Sequence, residues 1–154
     1  MIIEGEFQLN APIQRAWDFL TNFKEVASCI HSCQRVEIFD ENNFAITINQ
    51  KVGPISVTLE TQTRFTEVNP PNRLVASGRG KDTLMGSSFE LTNQMDLVQL
   101  SEKETLVRYK ADVKISGRLA SVGQSMIKIV AKREIAKVFE VIQAKMGGQR
   151  NEKI

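Results

Sequence analysis

The chain has little of the chemistry on which metal proteins and many enzymes depend. Its 154 residues include one histidine and two cysteines. A structural zinc site usually takes four Cys or His ligands, so these three residues cannot complete one alone. Two cysteines also give no disulfide framework, and we expect both to be free thiols of a cytoplasmic protein. We therefore predict no metal and no cofactor.

Long apolar runs and a strong net charge are also absent. No segment approaches the ~18 consecutive apolar residues that a membrane-spanning helix needs, and the first residues lack the basic and apolar regions of a secretory signal. The 20 basic and 18 acidic residues leave a formal net charge of +2, which argues against binding to nucleic acid. For a chain of this length we expect one domain at 1–146 and a short polar tail at 147–154.

What the chain does contain is a series of segments in which apolar and polar residues alternate, the pattern of half-buried strands. Two short helical segments follow the first of them. The strand segments span 4–10, 34–39, 44–52, 55–68, 73–79, 87–100 and 105–116. Turn-forming residues such as Gly53 and Pro54 separate them. This order predicts a seven-stranded antiparallel sheet.

The last third of the chain has helical periodicity. From Ser116 to Met146 apolar residues recur every three or four positions, which predicts a helix of about eight turns. A helix of that length needs an equally long apolar surface to pack against. We therefore predict an α+β fold in which a curved sheet grips one long C-terminal helix. Gly123, inside this helix, suggests close packing of a strand there, with a ligand or partner surface as the alternative.

The face of the sheet that meets the helix carries polar residues. Extending the alternation places Gln50, Thr61 and Asn93 on it. A buried polar group without a partner costs on the order of 1–3 kcal/mol, so an internal cavity with water or ligand would satisfy them. The other explanation is a strand bulge that exposes them. We predict that the cavity is lined by Ile48, Gln50, Leu59, Thr61, Met85, Phe89, Asn93, Met95, Tyr109, Met126, Val130 and His31.

Catalytic groups are few. His31 lies in the cluster Cys29-Ile30-His31-Ser32-Cys33, for which a metal site, a disulfide and a Cys–His nucleophile are weaker interpretations than a half-buried loop at the cavity mouth. Catalysis in the cavity would need an acid–base pair. The alternation places no Asp or Glu on the inward face, so we predict that the protein is not an enzyme.

Two surfaces are candidates for partner contacts. One is the loop at 82–86, which is also a candidate lid. The other is the exposed face of the last helix, where Glu134 and Glu140 partly offset the basic residues. A basic amphipathic helix can contact anionic lipid or an acidic partner, although a solvated face is the simpler interpretation. Its basic residues are Lys128, Lys132, Arg133, Lys137 and Lys145.

Several short motifs occur in a characteristic order. They are Gly5-Glu6-Phe7, Lys51-Val52-Gly53-Pro54-Ile55, Glu67-Val68-Asn69-Pro70-Pro71-Asn72-Arg73, Gly78-Arg79-Gly80 and Ser116-Gly117-Arg118-Leu119-Ala120-Ser121-Val122-Gly123. Each is weak alone, but together they resemble the CoxG family of carbon monoxide dehydrogenase subunits, within the START-like, pollen-allergen-like helix-grip (SRPBCC) superfamily. The chain has His31-Ser32 where the family pattern has Pro-Gly.

The resemblance implies a non-catalytic helix-grip domain with an apolar cavity, acting as an accessory factor of molybdenum-containing carbon monoxide dehydrogenases. Roles in membrane recruitment of the enzyme and in handling a quinone-like or other lipid are implied in the same way. Our leading hypothesis is a binding or carrier protein for an elongated hydrophobic molecule. The alternatives are an interaction module that assists assembly or membrane recruitment of such an oxidoreductase, and a small cyclase or hydrolase that uses the same cavity.

Overall fold

The structure, a computed structural model, describes residues 1–83 and 86–146; the predicted tail at 147–154 lies outside them. The strands are β1 (Ile2–Leu9), β2 (Cys33–Ile38), β3 (Asn43–Val52), β4 (Ile55–Asn69), β5 (Arg73–Asp82), β6 (Ser88–Ser101) and β7 (Glu104–Ser116). The helices are α1 (Ile13–Leu20), α2 (Phe23–Ala27) and α3 (Gln124–Met146), and a 3-10 turn spans Arg118–Val122. The predicted α+β helix-grip architecture, with two short helices after the first strand, is confirmed.

The sheet has seven strands in the order β1-β7-β6-β5-β4-β3-β2, and all neighbours are antiparallel. β1 and β2 are therefore its edges. The register breaks lie near strand ends or in the outer part of the sheet, at Cys33/Arg35, Phe65/Glu67 and Gln99/Ser101. Because the strand pairing in the middle of the sheet is regular, side chains there alternate strictly between the two faces of the sheet.

The last helix is shorter than the sequence predicts. α3 begins at Gln124 rather than at Ser116, which is still part of β7. Between them Gly117 and Gly123 have positive φ angles of 83° and 97°, a conformation that only glycine adopts readily. The predicted close packing at Gly123 is wrong, because a Cβ there would meet no atom of the described residues within 4 Å. Gly123 instead lets the chain turn from the 3-10 segment into α3.

α3 lies across one face of the sheet and comes closest to β1 and β3. Two apolar clusters hold its ends. The first cluster joins the C-terminal half of α3 to α1 and to one end of the sheet, through Leu9, Trp17, Leu20, Leu97, Phe139 and Ile142. The second cluster joins the N-terminal half to the β3–β4 hairpin, through Val52, Ile55, Val57, Ile127 and Val130. Burial of each large apolar side chain contributes about 1.5–3 kcal/mol, so the helix is anchored at both ends of the sheet.

None of the helices in the described residues is long and apolar enough to cross a membrane.

Candidate functional site

Small residues form the centre of the sheet on the side that faces α3. Asn93 of β6 lies directly between Ala76 of β5 and Ala111 of β7. Gly78 and Gly80 continue this side along β5. We call these five residues the floor. Side chains this small leave space above a sheet unless neighbouring side chains fill it. At Gly80 the Phe89 ring does so, because a Cβ there would be 2.8 Å from it, and Gly78 is covered by Thr61 and Thr63.

Larger side chains beside the floor remain half-buried. Leu91 and Val113 flank it on β6 and β7, and neither belongs to the two apolar clusters that anchor α3. The helix comes closest to β1 and β3, so the strands that carry the floor lie between its anchoring points. Side chains in the middle of the sheet, such as Leu91, Asn93 and Val113, are therefore only partly covered on the side that faces α3.

The three polar residues predicted on this side are there. Gln50 pairs with the buried Val57, and Thr61, itself buried, pairs with the buried Ile46. Gln50 is half-buried and donates from Nε2 to the carbonyl of Lys51 at 3.2 Å. No register break separates these pairs, so a bulge does not turn the groups outward.

The apolar strand residues predicted to line the cavity lie on the same side of the sheet, but they pack against different neighbours. Ile48, Leu59, Phe89 and Met95 are half-buried; of these, Met95 packs against the first cluster and Leu59 against the second. Tyr109 is buried, and this burial raises the pKa of its phenol above 10.0.

Four predicted residues are not part of this group. Val130 is buried within the second cluster. Met126 is 38% exposed, and its side chain covers Gly53 of the β3–β4 hairpin. His31 is exposed in the turn between α2 and β2. Met85 lies outside the described residues.

The sequence prediction missed Asp82, which was assigned to a loop. β5 continues to this residue, and Asp82 follows Gly78 and Gly80 on the helix-facing side. It is 4% exposed, its N–H donates to the carbonyl of Ser87 at 2.8 Å, and its Oδ1 accepts the N–H of Thr58 at 3.5 Å. The expectation that no acidic residue faces inward is therefore wrong. The alternation that begins at Leu74 was the available signal.

The end of the site beside Asp82 is tied to the 3-10 turn. The buried Ser87 Oγ accepts the backbone N–H of Leu119 at 2.8 Å. Gly117 lies so close to this segment that a Cβ there would be 2.7 Å from the carbonyl oxygen of Gly86. These contacts hold the start of β6 against the chain that leads into α3. The centre of the predicted 82–86 lid lies outside the described residues.

The outer face of the sheet differs from the inner one. Its grooves are open and polar, and one of them has a volume of about 510 Å³. Charges alternate from strand to strand, with Glu60 opposite Lys81 and Arg79 opposite Glu90. Such a face suits contact with water rather than with an apolar molecule.

Metal-binding potential is low in the part of the chain that the structure describes. It contains no group of three His, Cys, Asp or Glu residues that could hold a metal ion. Cys29 and Cys33 are both free thiols.

Comparison with known proteins identifies both family and fold. The family model of CoxG, a carbon monoxide dehydrogenase subunit, matches residues 5–147. A search of curated proteins found no match. Among solved structures, a conserved protein from Geobacillus kaustophilus is 20% identical, with a TM-score of 0.87 and coverage of 96% of both chains.

Two further structures share the fold at lower identity. A START superfamily protein from Mycobacterium smegmatis is 11% identical over 96% of this chain and 98% of that one, with a TM-score of 0.71. The Zhui aromatase/cyclase from Streptomyces sp. R1128 is 12% identical over 94% and 92%, with a TM-score of 0.69. Identities this low establish the START-like fold alone. The family match, however, extends from β1 to the end of α3, and the chain therefore belongs to the CoxG family of carbon monoxide dehydrogenase subunits.

Proposed function

We propose that this protein is a non-catalytic cytoplasmic carrier that holds an elongated hydrophobic molecule, lipid- or quinone-like, between the sheet and α3. The observation that carries the proposal is the floor. Its small residues lie between two well-packed clusters, and the larger side chains beside it are only half-buried. Protein interiors are normally close-packed, so we infer from this partial burial a hollow between the central strands and α3, the kind of space that is typical of a binding site.

The chemistry of the hollow indicates the kind of ligand. Phe89, Leu91 and Val113 offer apolar walls, whereas the Asn93 amide offers one acceptor and two donor hydrogens. Because Asn93 stands between two alanines, a ligand atom can approach it without hindrance from its cross-strand neighbours. A long apolar body with carbonyl or hydroxyl oxygens at one end fits this combination.

The test is mass spectrometry of lipid extracts from protein purified under mild conditions. We expect one apolar molecule to copurify with the wild-type protein and to be depleted several-fold in an Asn93→Leu variant. Thr92→Leu is the matched control, since Thr92 is the adjacent residue on the outer face. The proposal fails if no apolar molecule copurifies and added menaquinone and long-chain fatty acid do not bind. It also fails if the two variants lose ligand equally.

Catalysis by a small cyclase or hydrolase is the alternative that uses the same hollow. It would require an acid–base pair that meets the ligand. Asp82 is the inward carboxylate found here, and its described contacts are with backbone groups of Thr58 and Ser87. If the protein is a carrier, the mass of its ligand should be unchanged after prolonged incubation with the protein. A mass change that Asp82→Asn abolishes would establish an enzyme instead.

A second proposed role, as an interaction module, rests on the segregation of charge. Segments 49–59 and 117–133 contain no acidic residue, while the rest of the chain holds 15 basic and all 18 acidic residues. Met126 and Ile129, which belong to the second of these segments, are 38% and 61% exposed. We call the surface formed by the two segments the basic end. Its basic residues are Lys51, Arg118, Lys128, Lys132 and Arg133.

The basic end suits an acidic surface of a carbon monoxide dehydrogenase or related molybdenum-containing oxidoreductase. Peripheral contact with a membrane is a second use of the same charges.

The test is a pull-down from the native organism with wild-type protein and a Lys128→Glu/Lys132→Glu variant. We expect oxidoreductase subunits with the wild type and a loss with the variant. Lys110→Glu/Lys114→Glu, which reverses two lysines of β7, is the control. Failure to recover any oxidoreductase subunit, with vesicle sedimentation also negative, would count against this role.

A further inference from the structure

One edge of the sheet, β2, exposes apolar side chains. Ile38 is 49% exposed, and Phe39, which follows the strand, is 60% exposed. The segment Cys33–Phe39 contains neither proline nor lysine, two of the residues with which proteins commonly prevent an edge from pairing. The register break at Cys33/Arg35 leaves residues 35–38 as regular strand.

The backbone of β2 is open for pairing on its outer side. Phe39 donates its N–H to the carbonyl of Asn43 at 2.9 Å. Hydrogen-bonded and non-bonded pairs alternate in an antiparallel ladder, so the odd-numbered residues of β2 bond to β3. Val36 and Ile38 consequently direct their N–H and C=O groups toward the open edge.

The charges along this edge are self-complementary. Arg35 and Glu37 lie on the outer face of the sheet, both exposed, with Arg35 Nη2 3.3 Å from Glu37 Oε1. If two copies of β2 pair antiparallel about Val36, Arg35 of each copy stands opposite Glu37 of the other. A two-fold axis at Glu37 instead would place the two Glu37 carboxylates opposite each other. Opposite charges stabilise cross-strand pairs and like charges destabilise them, so the charges favour the first register.

The other edge lacks this property. On β1, Glu4 and Glu6 are the outward-facing charged residues. Antiparallel pairing about Gly5 would place Glu4 of one copy opposite Glu6 of the other. Self-pairing at β1 is therefore opposed by the same rule that favours it at β2.

We infer that two copies of this chain associate through their β2 edges, paired about Val36, so that two seven-stranded sheets become one continuous sheet. Each copy gives one short strand and the exposed Ile38 and Phe39 to the contact. An interface of this size falls below the ~1,200 Å² of a standard stable complex, so we expect a weak dimer with a dissociation constant of roughly 10–100 μM.

Charge exchange tests both the surface and the register. Arg35→Glu and Glu37→Arg each create like-charge pairs on both sides of the axis, and each should weaken the dimer by roughly tenfold or more in sedimentation equilibrium. A 1:1 mixture of the two variants restores opposite charges across the axis, and so does the Arg35→Glu/Glu37→Arg double variant. Both should recover wild-type association. Circular dichroism confirms that every variant is folded.

Three results would overturn the inference. The wild-type protein could be monomeric up to about 1 mM, tenfold or more above the weakest expected constant. The single variants could dimerise as tightly as the wild type, which would place the contact elsewhere. The mixture could show no gain over the separate variants, which would exclude the pairing of Arg35 with Glu37.

Discussion

The phenol ring of Tyr109 lies over Gly5 of the neighbouring strand. The two residues are direct partners in the β1–β7 ladder, and a Cβ on residue 5 would be 2.7 Å from the Tyr109 hydroxyl oxygen. The ring also stacks on Phe7 with 5.8 Å between centroids, and Phe7 stacks on Phe139 of α3 at 4.3 Å. A glycine at position 5 thus makes room for the aromatic stack that joins an edge strand to the helix.

Gly5→Ala should destabilise the protein, because the new methyl group displaces the Tyr109 ring. Overpacking of this kind typically costs about 1–3 kcal/mol, measurable by urea denaturation. Glu4→Ala, at the exposed neighbouring position, should stay within about 0.5 kcal/mol of wild type. Equal stability of Gly5→Ala and wild type would mean that the ring moves without cost.

Ser87→Ala should remove the only described bond between the start of β6 and the N–H of Leu119. That N–H is buried, and an unsatisfied buried donor costs about 1–3 kcal/mol. Ser88→Ala is the control, since Ser88 bonds to Ser116 at an exposed site. Urea denaturation of both variants measures the difference. A loss no larger for Ser87→Ala than for Ser88→Ala would mean that water replaces the hydroxyl.

The sheet could be predicted closely from the sequence because strand alternation is a local property. It holds for Gln50 and Asn93 because the register breaks lie away from their rows. The same periodicity placed Asn93 on the inner face without revealing that α3 would approach β1 and β3 rather than the strands between them. The position of the helix depends on contacts between distant parts of the chain, which no local pattern contains.

Two features, at the end of β5 and at the start of α3, were predicted wrongly because a second local pattern suggested another conformation. Leu119 and Val122 have the spacing of a helix, but Gly123 adopts a positive φ and separates them from α3. Asp82 is followed by Thr83, a polar pair that suggests a turn. The strand nevertheless includes Asp82, because its N–H finds the carbonyl of Ser87. The positive φ of Gly123 determines where α3 begins, and the hydrogen bond from the Asp82 N–H to the Ser87 carbonyl determines where β5 ends.

Asp40 should stabilise the β2–β3 turn in a pH-dependent way. Hydrogen bonds from the Asn43 side chain and from the N–H groups of Asn42 and Asn43 lower the pKa of its carboxyl below 3.8. A carboxyl with a lowered folded-state pKa contributes its stabilisation above its unfolded-state pKa of about 3.9, and loses it as the pH falls through the folded-state value. Asp40→Ala should therefore lower the Tm at pH 7, with a difference from wild type that narrows below about pH 4.

Calorimetry from neutral to acid pH measures that difference. Glu41→Ala, in the same exposed turn, should match wild type throughout. A deficit for Asp40→Ala that stays constant down to the acid limit would show that the side chain acts through its shape rather than its charge.

If the proposed hollow exists, a larger side chain on the floor should destabilise the protein little. Ala111 and Ala16 are both alanines on the inner side of the fold, but Ala16 has no exposed surface and belongs to the first cluster, whereas Ala111 is half-buried on the floor beside Asn93. Ala16→Leu should cost about 1–3 kcal/mol or more in urea denaturation because the added atoms have no space. Ala111→Leu should cost less than about 1 kcal/mol, since its side chain extends into the hollow, and should reduce the amount of copurified apolar ligand for the same reason. If Ala111→Leu is as destabilising as Ala16→Leu, the space above the floor is already filled by protein, and a ligand has no room there.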